Sequence, residues 1–216
     1  MPAGERGGAE RSITRAAGLV MAGFLLSNLT GLAQRILTTR SFGTGFELDA
    51  FFAAQRVPDL LFNLLAGGAL ASAFIPAFTA LLGRGDRQGA WRLASSISIL
   101  TALVLGGLSV LAWLTAPWLV HNVLAPGFPL SQAEITAALM RTLLTTAVVF
   151  GWSGLLMGIL QAHKHFRLPA LAPTLYWGGW IIGVVFFAPQ LGIHGLAWGV
   201  VLGSVLHLGV QLPGLR

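Results

Sequence analysis

Arg35, Arg40, Asp49, Arg56, Asp59 and Arg141 stand in or beside stretches that otherwise carry no charge. A charge at membrane depth costs at least about 2.5–3.5 kcal/mol, so each calls for a cavity, a partner or the headgroup region. Arg56 and Asp59 are three apart; on a helix they share a face and can pair, which lowers the cost of burying either. Pro58 between them removes a backbone donor and should bend the helix. A bent helix with a charge pair near its outer third suits a solvated central cavity; a purely structural kink is the competing reading. Arg141 reads equally as an anion contact or a snorkelling anchor, and Arg35 and Arg40 fall where long side chains reach headgroups. Asp49 precedes an apolar run and is placed to cap a helix. Asp49 and Asp59 are also the residues able to bind a coupling proton or cation. Ser27-Asn28 with Thr30, then Gln34 and Asn63, add neutral polar groups whose simplest use is interhelical hydrogen bonding, worth about 1 kcal/mol per contact.

None of this makes a catalytic centre. The chain has no HExxH, no GxSxG, no phosphate loop and no acid/base pair, so no catalytic residue and no cofactor are expected. His163-Lys164-His165 offers imidazoles, but no carboxylate or thiolate stands near it, and the chain contains no cysteine. A basic loop beside anionic lipid explains that stretch better than a metal does.

The elements that must position these residues are membrane helices. Of the 216 residues, 55% are hydrophobic and 9% charged, with a mean hydropathy of +0.78, too few polar groups to coat a water-soluble globule. A hydrocarbon core about 30 Å thick needs roughly 20 apolar residues at 1.5 Å each. The charge-free runs predict an all-α polytopic membrane protein: a basic tail over 1–12, then six transmembrane helices within 13–213, at about 13–37, 49–82, 93–120, 131–162, 170–188 and 195–212. Pro189 and Gly192 mark the turn between the last two. A barrel would read as short alternating segments, and these runs are apolar all round. The first run lacks the cleavage pattern of a signal peptide and is retained as a helix.

Basic residues alternate between connections. Arg6, Arg11 and Arg15 precede the first helix, Arg84, Arg87 and Arg92 lie between the second and third, Lys164 and Arg167 between the fourth and fifth, and Arg216 at the end. By the positive-inside rule both termini are expected in the cytoplasm. The same scattering over short loops accounts for the net charge of +6 and argues against a nucleic-acid partner. Gly195, Gly199 and Gly203, like Gly154 and Gly158, recur at four-residue spacing and predict close helix packing; Gly67-Gly68 with the small residues after it suggests close approach or an unwound segment.

Asp49-Ala50-Phe51-Phe52, then Arg56-Val57-Pro58-Asp59-Leu60-Leu61, then Gly68-Ala69-Leu70 through Ala73-Phe74-Ile75-Pro76 resemble the MurJ (MviN) lipid II flippases. Ala125-Pro126-Gly127-Phe128, Gln161-Ala162-His163 through Phe166, Pro169-Ala170, Ala172-Pro173 and Gln211-Leu212-Pro213 extend the match in order along most of the chain. The resemblance implies a member of the multidrug/oligosaccharidyl-lipid/polysaccharide exporter superfamily, in which two six-helix lobes enclose a central cavity that opens alternately to each side. It implies a lipid-linked diphosphate sugar as substrate, carried across the bacterial cytoplasmic (inner) membrane, and a cationic cavity suited to phosphate oxygens. Candidate cavity residues are Ser27, Asn28, Arg35, Arg40, Asp49, Arg56, Asp59 and Arg141.

The chain departs from the family pattern at its cations. Ser27-Asn28 stands where the family has Ser-Arg, Gln34 where it has an arginine, and Phe62 and Asn63 where further basic residues are expected. Arg35, Arg40, Arg56 and Arg141 are candidates to supply positive charge from neighbouring positions. Only the first lobe is matched, so the expectation is a fragment whose second lobe follows, or a half that pairs with a separate chain or with itself. The missing arginines keep two other functions open: export of another lipid-linked oligosaccharide or a drug, and a non-transporting membrane scaffold.

Overall fold

The computed structural model describes residues 3–64 and 73–215, with side-chain surroundings from residue 20 onward. Among them the chain forms α1 (Ala3–Phe42), α2 (Phe46–Asn63), α3 (Ile75–Gly83), α4 (Arg87–Leu114), α5 (Ala116–Leu119), α6 (Leu130–Ala162), α7 (Arg167–Ile182), α8 (Ala188–Leu191) and α9 (Ile193–Gly209). Val20–Phe42, Arg87–Leu114, Leu130–Ala162, Arg167–Leu191 and Ile193–Leu215 are each long and apolar enough to cross a membrane. The remaining expected span, 49–82, appears as α2 and α3 on either side of residues 65–72; Gly67-Gly68 lies outside the described residues. The chain is an all-α polytopic membrane protein.

Proline sets several boundaries. A helix over 93–120 is expected from apolarity alone, but α4 stops at Leu114 because Pro117 cannot supply the next backbone donor; a short α5 and a π-helical turn, Val120–Leu124, follow. The fifth span continues α7 through a π-helical turn, Gly183–Phe187, into α8. Gly192, at φ +57°, makes the reversal into α9, a conformation that a Cβ would oppose.

The long α6 is the central post. It packs on α2, α4 and α9, while α7 packs on α9 and α1 rests chiefly on α7. Phe51, Leu139, Met140, Leu143, Leu196 and Val200 are buried where α2, α6 and α9 meet. A second cluster, Phe74, Phe78, Ala90, Ala94, Leu155 and Ile159, ties α3 and α4 to the other end of α6. The outward faces are apolar too: Met21, Leu103, Leu114 and Phe186 are each more than 60% exposed. Lipid covers such surfaces at no hydrophobic cost, so the packing that holds helices together must come from shape. Glycine supplies it between α7 and α9. A Cβ on Gly179 would strike the backbone of Gly203, and one on Gly199 the backbone of Gly183. Gly203 and Gly199 of α9 thus meet Gly179 of α7 and Gly183 of the π-helical turn that continues it, and Gly195 meets the backbone of Phe187 and Ala188.

Candidate functional site

α1 has two different faces. Gly23, Ser27, Gly31, Gln34 and Thr38 are buried at successive steps of four, four, three and four residues, one helical stripe. That stripe lies on α7: a Cβ on Gly23 would come within 2.8 Å of the Ala170 carbonyl, and one on Gly31 within 3.3 Å of the Trp177 ring. Gln34 Nε2 donates to Thr38 Oγ1 at 3.0 Å, so the two bury their polarity within the helix. Asn28, Arg35 and Thr39 occupy the other face and are exposed.

α2 repeats the division. Phe51, Ala54, Pro58 and Leu61 face the core, and Asp49, Phe52, Arg56, Asp59 and Asn63 form an exposed stripe at steps of three and four. Asp49 does not cap the helix. α2 begins at Phe46 with Gly45 as its N-cap and no side-chain cap bond. Asp49 lies inside the first turn, its N–H donating to the Gly45 carbonyl at 3.0 Å. Glu47 and Asp49 there complement the positive end of the helix.

Two adjoining clefts open along these stripes. The first, about 390 Å³, lies between α1 and α2 over α7 and is lined by Gln34, Arg35, Thr38, Thr39, Leu48, Phe52, Gln55, Trp177 and Trp180. The second, about 450 Å³, is lined by Asp49, Phe52, Ala53 and Arg56 with Leu124, Ala125, Gly127 and Phe128 of the α5–α6 connection. Phe52 is the wall they share. Arg56 does not pair with Asp59 as their spacing suggests; its guanidinium donates to the Leu124 carbonyl at 3.4 Å, and Asp59 is exposed one turn further along. The connection offers that carbonyl because its own turn bond runs from Phe128 N–H to Ala125 instead.

The other candidates sit apart. Arg40 is exposed in the last turn of α1, where a cation complements the helix dipole. Arg141 lines a cleft of about 400 Å³ with Pro117, His121 and Glu134. Its Nε donates to the Trp113 carbonyl at 3.2 Å, and its guanidinium carbon stands 5.0 Å from the centre of the Trp113 ring. The structure therefore brings Arg35, Asp49 and Arg56 to one pair of clefts, with Asn28 and Asp59 on the same stripes, and leaves Arg141 on the α4–α6 side. Ser27 lies on the stripe that faces α7 and is buried.

Gln55, Trp177 and Trp180 complete the first cleft and were not among the residues singled out from sequence. Trp177 and Trp180 share a face of α7, three residues apart, with ring centres 5.8 Å from each other and Tyr176 beside both. A three-residue spacing of tryptophans was the available signal. Deeper in the lobe, Ser153, His207 and Gln211 form a buried knot: Ser153 Oγ and His207 Nδ1 are 2.6 Å apart, and Gln211 Nε2 donates to Ser153 Oγ at 2.6 Å. No group of three or more metal-binding side chains occurs among the described residues.

The fold and these clefts can be set beside known proteins. The family model described as lipid II flippase MurJ matches residues 38–216. The lipid II flippase MurJ of Burkholderia cenocepacia is 38% identical over 202 residues, covering 92% of this chain and 39% of its own length. A probable lipid II flippase MurJ of Bdellovibrio bacteriovorus is 33% identical over 205 residues, covering 91% of this chain and 38% of its own. A solved structure, lipid II flippase MurJ in an inward closed conformation, is similar in fold with a TM-score of 0.78 at 24% identity, over 91% of this chain and 41% of that one. The chain thus spans about two-fifths of the length of the relatives it matches. By a match over most of its residues, the chain belongs to the MurJ lipid II flippase family.

Proposed function

We propose that this chain forms the first lobe of a flippase that carries a lipid-linked peptidoglycan precursor, lipid II, across the bacterial cytoplasmic membrane by alternating access. The observation that carries the reading is the paired exposed stripe of α1 and α2, with Arg35 and Arg56 at clefts that meet at Phe52. Polar side chains facing outward from a lobe at membrane depth are costly against lipid. A second six-helix lobe, closing over that face, turns the stripe into the wall of a water-filled cavity. Arginine suits the diphosphate because its planar fork donates to two oxygens at once. Both termini face the cytoplasm in this proposal, supported by the alternation of basic connections.

Export of a different lipid-linked oligosaccharide or a drug is the second reading. It is favoured by Gln34, which lines the first cleft where the family carries a cation and brings no charge there, its amide donating to Thr38. Expression of the full-length gene in a bacterium depleted of its own lipid II flippase separates the two: restored growth and wall synthesis support flipping of lipid II, and failure with normal membrane insertion supports another cargo or a scaffold.

A further inference from the structure

We propose that a cleft at the basic end of the lobe, remote from the α1–α2 stripes, holds the phosphate headgroup of an anionic phospholipid. The cleft measures about 270 Å³ and is built from three segments: Arg87 and Trp91 at the start of α4, His163 and His165 around the α6–α7 turn, and Leu215 near the end of the described chain. Among the described residues all of its ionisable lining groups are bases. The neighbouring carboxylate, Asp86, is engaged elsewhere, its Oδ1 accepting from Gly89 N–H at 2.8 Å as the cap of α4.

The α6–α7 turn is shaped to present its two histidines. Lys164 adopts φ +61°, left-handed backbone that glycine ordinarily supplies. That turn is closed by Lys164 N–H on Gln161 O at 2.9 Å and His165 N–H on Leu160 O at 2.8 Å. His163 donates from Nδ1 to the Ile159 carbonyl at 2.9 Å, which fixes the ring against the end of α6.

Depth selects the occupant. The lining residues stand at helix ends, where the hydrocarbon core gives way to headgroups, and Trp91 is 46% exposed there, as interfacial tryptophans are. Leu82 and Leu160 line the same cleft. A basic rim beside an apolar wall and an exposed indole matches a phosphate that carries acyl chains. A soluble anion would use only the rim. This inference does not depend on what the lobe transports.

Native mass spectrometry of the whole chain, released from neutral detergent with dioctanoyl phosphatidylglycerol or dioctanoyl phosphatidylcholine, tests it. The expected result is one phosphatidylglycerol retained at least about fivefold more tightly than phosphatidylcholine, the scale of one basic residue at a membrane surface. Arg87→Gln should remove most of that preference and Arg87→Lys should keep much of it. Arg92→Gln, which alters an exposed cation outside the cleft lining, should leave it unchanged. Equal loss in the Arg87→Gln and Arg92→Gln variants would assign the preference to diffuse charge and overturn the site. Displacement of the lipid by millimolar inorganic phosphate would make it a soluble-anion site and overturn the lipid assignment. Equal retention of the two lipids would overturn both.

Discussion

Arg141 donates from Nε to the carbonyl of Trp113 at 3.2 Å, across the groove between α6 and α4. In a continuous helix that carbonyl would accept from the residue four positions on, and here that residue is Pro117, which has no N–H. Arginine thus fills a vacancy that proline creates, while its cation rests against the Trp113 ring. A guanidinium within a membrane helix is accounted for by local architecture on this side of the lobe.

If so, Arg141→Ala should destabilise the lobe by about 1–3 kcal/mol, the range for a hydrogen bond to a charged donor with a partly shielded cation–π contact. Pro117→Ala returns a backbone donor to Trp113 and should shrink that cost. A double-mutant cycle by thermal unfolding in detergent checks this: the account expects a coupling above about 0.5 kcal/mol, and additive effects would refute it.

The α7–α9 crossing makes a sharper steric prediction. Gly199→Ala places a methyl group against the backbone of Gly183, whereas Gly178→Ala, one residue from Gly179 on α7, meets nothing within 4 Å. The first should cost about 1–3 kcal/mol as overpacking and the second should be near neutral. Melting temperatures of the two variants at equal expression decide the matter.

Lys164 holds left-handed backbone at the end of α6. Lys164→Gly should stabilise the chain by up to about 1 kcal/mol through relief of the Cβ clash, offset in part by the freer unfolded chain. An unchanged or lower melting temperature would mean that the lysine side chain contributes more than its backbone costs.

The absence of cysteine permits a direct map of solvent along α1 and α2. Single cysteines at Asn28, Arg35, Asp59 and Asn63 of this chain, paired with a second lobe made free of cysteine, should react in intact membranes with a charged maleimide. Cysteines at Leu103 and Phe186, both on apolar outer faces, should react far more slowly. Equal rates at the two sets would remove the water-filled cavity from the account.

Long charge-free runs made the helical membrane fold legible in the sequence, because length and apolarity are all that a bilayer demands of a span. Less legible were the places where a span stops. α4 ends at Leu114, three residues before the proline whose missing donor stops it, and a π-helical turn at Gly183–Phe187 carries α7 into α8 without any change in composition. Partners were harder still. The three-residue spacing of Arg56 and Asp59 is compatible with pairing, but the Leu124 carbonyl, 68 positions along the chain, is what Arg56 meets. In α9 the glycine spacing announced a close contact, while the glycines opposite it, Gly179 and Gly183, lacked a four-residue companion pattern long enough to stand out. Arg35 and Gln34 are neighbours in sequence and both line the first cleft, yet a turn of about 100° per residue leaves Arg35 exposed and buries Gln34 on the stripe that faces α7.

The central claim is that Arg35 and Arg56 present positive charge to a lipid-linked diphosphate. Charge reversal tests it most directly: the full-length gene carrying Arg56→Glu, Arg35→Glu or both, expressed at matched membrane levels in a bacterium depleted of its lipid II flippase, with precursor translocation measured in the cells. The account predicts translocation by the unaltered protein, a strong loss with either reversal and no activity with both; undiminished translocation by the doubly reversed protein would contradict it.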